Sequence, residues 1–273
     1  FRMFHLSRWL RLSEAFTRLN RPVVVVDLES TGGNLYQDRV TEIAFLRFEN
    51  GRVEHYEQLI NPGKPIPEFV VQLTGITNEM VAQAPAFDQI APDILPLLRG
   101  SLIVAHNSRF DYTFLRHEFC RAGIDFAAPA LCTVQLSRRL YPQFYKHNLD
   151  SIISRMGIQT DDRHRALADV LALADYLEHS LKEKTSDEWD NHCRALMNPK
   201  ILPTQLSDSL TAKLYSLPDT VGVLVWFDHS GKVLSVEAYE KTYSEIAALL
   251  HSEEGLHYIQ NAADVKFIPA VGS

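Results

Sequence analysis

The sequence predicts an α/β protein: a mixed sheet with helices packed against it, followed by a smaller α/β segment. Two observations carry the first part. β-Rich runs joined by a tight-turn signal come first, and strand–helix alternation follows them. A third observation separates the second part: after Lys182 the chain turns charged and then meets Pro199 and Pro203.

Residues 1–21 read as an amphipathic N-terminal helix. Trp9, Leu12, Phe16 and Leu19 recur at steps of three and four, and Asn20-Arg21-Pro22 ends the pattern. Such a stripe either packs on the following domain or docks a partner or a membrane surface. Val23 to Val26 form an apolar run typical of a strand buried on both faces. The runs Val40 to Phe48 and Val53 to Ile60 flank Asn50-Gly51, a strong hairpin signal. A helix follows over Phe87 to Leu98, then a short strand over Leu102 to Ala105, then a helix from Ser108 that stops before Gly123. Further helices are expected at 133–140, at 149–156 (stopped by Gly157) and at 165–182. Residues 183–205 read as a linker, and 206–273 as a small α/β C-terminal domain. That domain has a helix over Ser207 to Tyr215 and a hairpin turning at Asp228-His229-Ser230-Gly231.

The 273 residues are 46% hydrophobic, which fits a folded chain. No apolar run reaches the roughly 18 residues of a membrane span, so integral membrane association is excluded. Cys120, Cys132 and Cys193 are far apart, with no C-x-x-C. That argues against a disulfide framework or Cys-ligated zinc and predicts a cytoplasmic protein. The net charge of −7 argues against nucleic-acid binding, but it is unevenly spread. Residues 1–21 carry five Arg and one acid, residues 22–182 carry 15 basic and 20 acidic groups, and residues 183–273 carry 7 and 13.

Asp27 and Glu29 stand two apart at the end of the first strand, so both carboxylates project to one face. Two adjacent anions repel unless a cation lies between them, and a hard divalent ion with oxygen ligands meets that need. Asp111 falls in the first turn of the helix after His106-Asn107, at a strand end where ligands of α/β sheets gather. His164 and Asp169 open the helix at 165–182. Five residues apart, they point about 140° from each other on a helix. If both serve one site, His164 lies on the preceding loop, free to swing, and Asp169 is fixed by the helix.

The pieces Asp27-Leu-Glu29-Ser-Thr-Gly32, His106-Asn-Ser-Arg-Phe-Asp111 and His164-Arg-Ala-Leu-Ala-Asp169, with Leu73-Thr-Gly-Ile-Thr77 between them, resemble the DEDDh 3′–5′ exonucleases. The resemblance spans about 22–182 and is nearest the bacterial DNA polymerase III epsilon (proofreading) subunit. It implies an RNase H-like exonuclease fold, with a mixed five-stranded sheet flanked by helices. It assigns Asp27, Glu29, Asp111 and Asp169 to two Mg²⁺ or Mn²⁺ ions, one activating a water and the other stabilising the leaving 3′ oxygen. His164 takes the proton from that water, and the product is a nucleoside 5′-monophosphate. Ser30, Thr31 and Gly32 are expected to offer backbone N–H groups to the terminal nucleotide. Leu73, Thr74, Asn107, Phe110 and Phe114 are the further expected contacts, although Phe110 and Phe114 equally fit a core. The family often has His where this chain has Thr74.

Leu217-Pro-Asp-Thr-Val-Gly-Val-Leu224 with Asp228-x-x-Gly231-x-x-Leu-Ser235-Val-Glu237-Ala238 resembles a GIY-YIG nuclease module, nearest the N-terminal domain of the UvrC repair endonuclease. Leu224 and Ser235 stand where that family has Tyr, Glu237 replaces Gly, and no Arg follows Arg194. The expectation is a degenerate, non-cleaving and partner-binding module. The substrate implied for the whole chain is a single-stranded or frayed DNA 3′ end. The alternatives are an RNA exonuclease of the same fold and a non-catalytic adaptor in a replication or repair assembly. A polymerase or repair protein would be engaged through the C-terminal module or the N-terminal helix.

Overall fold

The computed structural model describes residues 2–3, 6–160, 163–197, 202–203 and 205–270. The chain divides into two units: Phe1–Asp125 with Ala130–Leu196, and Phe126–Pro129 with Met197–Ser273.

The first unit begins with β1 (Arg2–Met3) and α1 (Leu10–Thr17), then β2 (Val23–Ser30), β3 (Val40–Glu49) and β4 (Arg52–Leu59). Three helices follow, α2 (Glu68–Thr74), α3 (Asn78–Ala82) and α4 (Phe87–Leu98), leading to β5 (Leu102–Ala105) and α5 (Ser108–Arg121). The unit closes with β6 (Ala130–Cys132), α6 (Thr133–Leu140), α7 (Leu149–Met156), α8 (Ala166–Glu183) and α9 (Ser186–Leu196). The sheet order is β1-β4-β3-β2-β5-β6. The β2–β3 and β3–β4 pairs are antiparallel, whereas β5 joins β2 and β6 joins β5 in parallel. This is the expected mixed five-stranded sheet with flanking helices, extended at one edge by the two-residue β1, which pairs with β4.

Central β2 is buried from Val23 to Val26, as its unbroken apolar run requires. The hairpin turns at Asn50 and Gly51, both at positive φ (49° and 74°), the left-handed backbone that a two-residue β-turn demands. Gly157 ends α7 at φ 64° and accounts for the stop read from sequence.

The N-terminal helix packs within this unit. Trp9, Leu12 and Phe16 are buried, and Leu19 is nearly so. Three carboxylates fasten it: Asp175 accepts from Arg8 and the Trp9 indole, Glu178 from the Leu12 N–H (2.7 Å), and Asp190 from Arg18 through two bonds. Glu178 thereby supplies negative charge to the first-turn N–H groups of α1. The apolar stripe is covered by its own unit, as the packing alternative expected.

The expected linker is corrected too. Residues 186–196 form α9, whose Trp189 and Cys193 are fully buried, with the Trp189 indole donating to the Ser180 hydroxyl at 2.9 Å. Part of the expected linker, 198–201 and 204, lies outside the described residues.

The second unit holds α10 (Asp208–Tyr215), β7 (Gly222–Asp228), β8 (Val233–Tyr239), α11 (Thr242–Leu250), α12 (Leu256–Asn261) and β9 (Ala262–Pro269). Its antiparallel sheet runs β8-β7-β9. The expected hairpin is present: Asp228 accepts from the N–H groups of Ser230 and Lys232, and Gly231 takes φ 80°. Leu210, Leu214, Leu224, Trp226 and Ile246 form the core, which Leu202 joins from the expected linker. No helix among the described residues is long and apolar enough to cross a membrane. Cys120, Cys132 and Cys193 are free thiols.

Candidate active site

β2 carries Asp27 and Glu29 to one face while Leu28 between them is buried. The parallel partner β5 pairs with β2 only as far as Val25–Val104, so the next backbone donors on that edge of β2 need other acceptors. Asp111 supplies one: its Oδ1 accepts the Leu28 N–H at 3.1 Å. The chain reaches that point by turning at Asn107, φ 73°, a left-handed conformation Asn tolerates well, directly before α5. Asp169 enters from the first turn of α8. Ligand oxygens of Asp27, Glu29 and Asp169 all lie within 4.8 Å of one another.

These carboxylates raise one another's proton affinity. Burial pushes Asp27 well above the ordinary carboxylate range, and Asp111, Glu29 and Asp169 push it further. Burial, then Asp169 and Glu42, take Glu29 up to about 8. Asp111 also rises to about 8, mainly through burial, although the Leu28 N–H opposes the rise. Asp169 is raised by burial against the pull of Arg163. Arg163 bonds to Asp169 and, at 2.7 Å, to Asp150. Of the four carboxylates, Asp169 is the one bonded by Arg163, and the buried Asp27 Oδ2 has no hydrogen-bond partner among the described residues. An all-oxygen donor set with excess negative charge and an orphaned ligand atom fits hard divalent cations.

His164 sits in the turn before α8 at φ 73°, off the helix as the angular argument requires. Its backbone N–H is bonded to the Asp169 carboxylate, tying the two residues together. The turn is held from the sheet by a residue that sequence reasoning missed. Glu42 on β3 is paired across the strands with Glu29 and is buried. It accepts bonds from Arg165 Nε and Nη2, and from the Ala166 N–H at 2.9 Å. Glu42 thus fixes where α8 begins, and with it Asp169. The available signal was a lone acid within the apolar run Val40 to Phe48.

The expected nucleotide contacts divide. Leu73 is 56% exposed on α2, Asn107 is exposed, and Phe110 is half-buried with its ring 4.7 Å from that of Phe114. Phe114 is fully buried and belongs to the core. The Thr74 hydroxyl is buried and spent locally, donating to the Val70 carbonyl and accepting the Ile76 N–H. The Thr31 N–H donates to the Arg39 carbonyl at 2.8 Å and its hydroxyl to Asp38, so Thr31 braces the loop after β2. Phe114, Thr74 and Thr31 are thus engaged within the protein. Gly32 lies against Asp38, where an added Cβ would come within 2.5 Å of the carboxylate. Ser30 directs its hydroxyl to the Gly32 carbonyl at 2.6 Å.

Residues 24–177 match the family model described as "Exonuclease" (RNase_T). DNA polymerase III subunit epsilon of Aquifex aeolicus is 34% identical over 60% of this chain and 83% of its own length. The "3'-5' exonuclease DinG" of Bacillus subtilis is 38% identical over 54% of this chain, which spans only 16% of that relative. The "Putative bifunctional exonuclease/endonuclease protein MT2247" of Mycobacterium tuberculosis is 34% identical over 225 residues, covering 78% of this chain and 34% of that protein. Among solved structures, the nuclease domain of 3'hExo, a DEDDh family member bound to rAMP, shares the fold. It has a TM-score of 0.53 at 18% identity and covers 66% of this chain and 98% of that one.

Proposed function

The chain belongs to the exonuclease family whose model it matches, and from that premise we propose that it is a metal-dependent 3′–5′ exonuclease acting on DNA 3′ ends. One observation carries the proposal. Four carboxylates from three elements converge with one guanidinium among them, beside a histidine that lies off the helix. In this reading Asp27, Glu29, Asp111 and Asp169 hold two Mg²⁺ or Mn²⁺ ions. Divalent ions at such a site supply positive charge to the attacking and leaving oxygens of an in-line displacement.

The chain's own groups do the rest. His164 takes the proton from the attacking water, and the Asp169–His164 backbone bond holds that turn in register with the carboxylates. Leu73, Asn107 and Phe110 offer exposed or half-exposed surface to the terminal base and sugar. The product is a nucleoside 5′-monophosphate. With Asp27→Asn, release of mononucleotides from a 5′-labelled single strand should fall at least a hundredfold. A variant as fast as the parent defeats the reading. A matched RNA strand assayed beside the DNA decides between the two polymers.

For the second unit we propose a degenerate endonuclease-like module that binds protein and does not cleave. Supporting this, Leu224 is a buried core residue and the Ser235 hydroxyl is 3.0 Å from the Tyr258 hydroxyl, so neither offers a free phenol. The acidity of residues 183–273 is also poor for holding a phosphate backbone. Nicking of a closed circular DNA by the Asp27→Asn protein would contradict it.

A further inference from the structure

We propose that the loop between α6 and α7, with the first turns of α7, forms a second nucleic-acid subsite: a ledge that stacks a base and binds a phosphate of the single strand on the 5′ side of the terminal nucleotide. The subsite presupposes a polynucleotide substrate and so rests on the exonuclease reading above.

The local charge departs from the rest of the chain. Residues 138–155 carry Arg138, Arg139, Lys146 and Arg155 against one acid, Asp150, within a protein of net −7. Aromatic residues interleave with these cations in Tyr141-Pro-Gln-Phe144-Tyr145-Lys146. A shallow groove is lined by Tyr145, Lys146, Asp150, Ser151, Ser154 and Arg155.

The loop is rigidly supported from beneath, yet it leaves its largest ring outside. The buried His147 ring bonds to the Ser137 hydroxyl (2.7 Å) and the Phe144 carbonyl (2.9 Å). The His147 carbonyl meets His106 Nε2 at 2.7 Å, which ties the loop to the chain just before Asn107. Arg155 lies 3.8 Å over the Phe144 ring and donates to the Lys146 carbonyl at 2.6 Å. Above this scaffold Tyr145 is 97% exposed. An exposed aromatic beside an exposed ammonium is the pairing that nonspecific single-strand binding uses: a π-face for any base and a cation for the backbone.

An ion-pair bridge links the groove to the active site. Asp150 lines it and is bound by Arg163, whose other bond is to Asp169. The single acid of the groove is thereby neutralised, and the groove begins one guanidinium away from the carboxylate cluster. A strand whose terminal phosphate lies at the carboxylates has this ledge next along its path.

The test measures kcat/KM with dT2, dT4 and dT8, together with anisotropy of labelled dT8 whose 3′-terminal linkage is a phosphorothioate. Stacking on one aromatic is worth about 1–3 kcal/mol, or roughly 5- to 150-fold. Tyr145→Ala should weaken dT8 binding about tenfold, with the loss in kcat/KM shrinking as the substrate shortens to dT2, whereas Tyr145→Phe should restore the parent value. Lys146→Ala should reduce the salt slope of log Kd by about 0.7, the share of one single-strand phosphate contact. Parental dT8 affinity in Tyr145→Ala, or an equal loss on dT2 and dT8, overturns the ledge. If the parent releases no nucleotide from any length, the exonuclease reading fails, and anisotropy still decides whether Tyr145 and Lys146 hold the strand.

Discussion

Helix α8 carries two kinds of buried or half-buried carboxylate. Toward its C-terminal half, Asp175 and Glu178 meet donors from the N-terminal helix: the Arg8 guanidinium, the Trp9 indole and the Leu12 N–H. At its first turn, Asp169 faces Asp27 and Glu29 and is bonded by Arg163 and the His164 N–H. The distal acids hold the fold together, as do Glu118, bound by Arg39 and Arg121, and Asp190, bound by Arg18. The proximal acids work against it, because burial and mutual repulsion raise their proton affinity. Burial alone therefore does not mark a functional acid. The distinguishing property is burial of several carboxylates against one another, which a fold retains at a net cost to its stability.

Substitutions should separate the two kinds. The largest effect is expected for Asp169→Asn, which under the proposed function removes a metal-holding charge worth several kcal/mol in the transition state. Turnover on labelled DNA should fall about a thousandfold while the metal-free protein melts no lower than the parent. A fall in melting temperature with activity preserved would place Asp169 among the structural acids. Next is Glu118→Ala, which strands the Arg39 guanidinium and should cost about 3 kcal/mol in denaturant unfolding with turnover nearly intact.

A smaller effect is a pH dependence with a defined sign. Glu29 and Asp111 stand near 8 when folded, against the ordinary carboxylate range of about 4 when unfolded. Between those values the folded chain holds more protons, so stability of the chelated protein falls as pH rises from about 4.5 toward 8. Thermal unfolding in chelator should drop by at least about 3 °C from pH 5.5 to pH 8, and a rise would reverse the assignment. The smallest effect belongs to Lys213–Asp264, an exposed pair on the second unit. Lys213→Ala should change stability by less than about 1 kcal/mol.

Much of this was legible in the sequence, for local reasons. Gly157 and Asn50-Gly51 fixed boundaries because their turns need left-handed backbone, and the i, i+2 spacing of Asp27 and Glu29 set their shared face. Helix α9 was misread because Trp189 and Cys193, four apart, are a thin apolar signal within a charged stretch. The Glu42–Arg165 clamp and the Arg163 bridge join residues distant in sequence or across a turn, and no periodicity reports them. Thr31 and Thr74 looked available because nothing in a sequence shows that a hydroxyl or an N–H is already spent. The net charge of −7 averages the basic stretch at 138–155 with the carboxylates that repel one another, so it reports neither.

The central claim is that these four carboxylates are held together for divalent metal. Calorimetric titration of the full chain with Mn²⁺ at pH 7, repeated in buffers of different ionisation enthalpy, tests it most directly. The account predicts saturable binding that releases protons, because carboxylates protonated in the metal-free protein must ionise to ligate. Asp27→Asn should lose most of that binding. Absence of binding, or binding unchanged in Asp27→Asn, would contradict it.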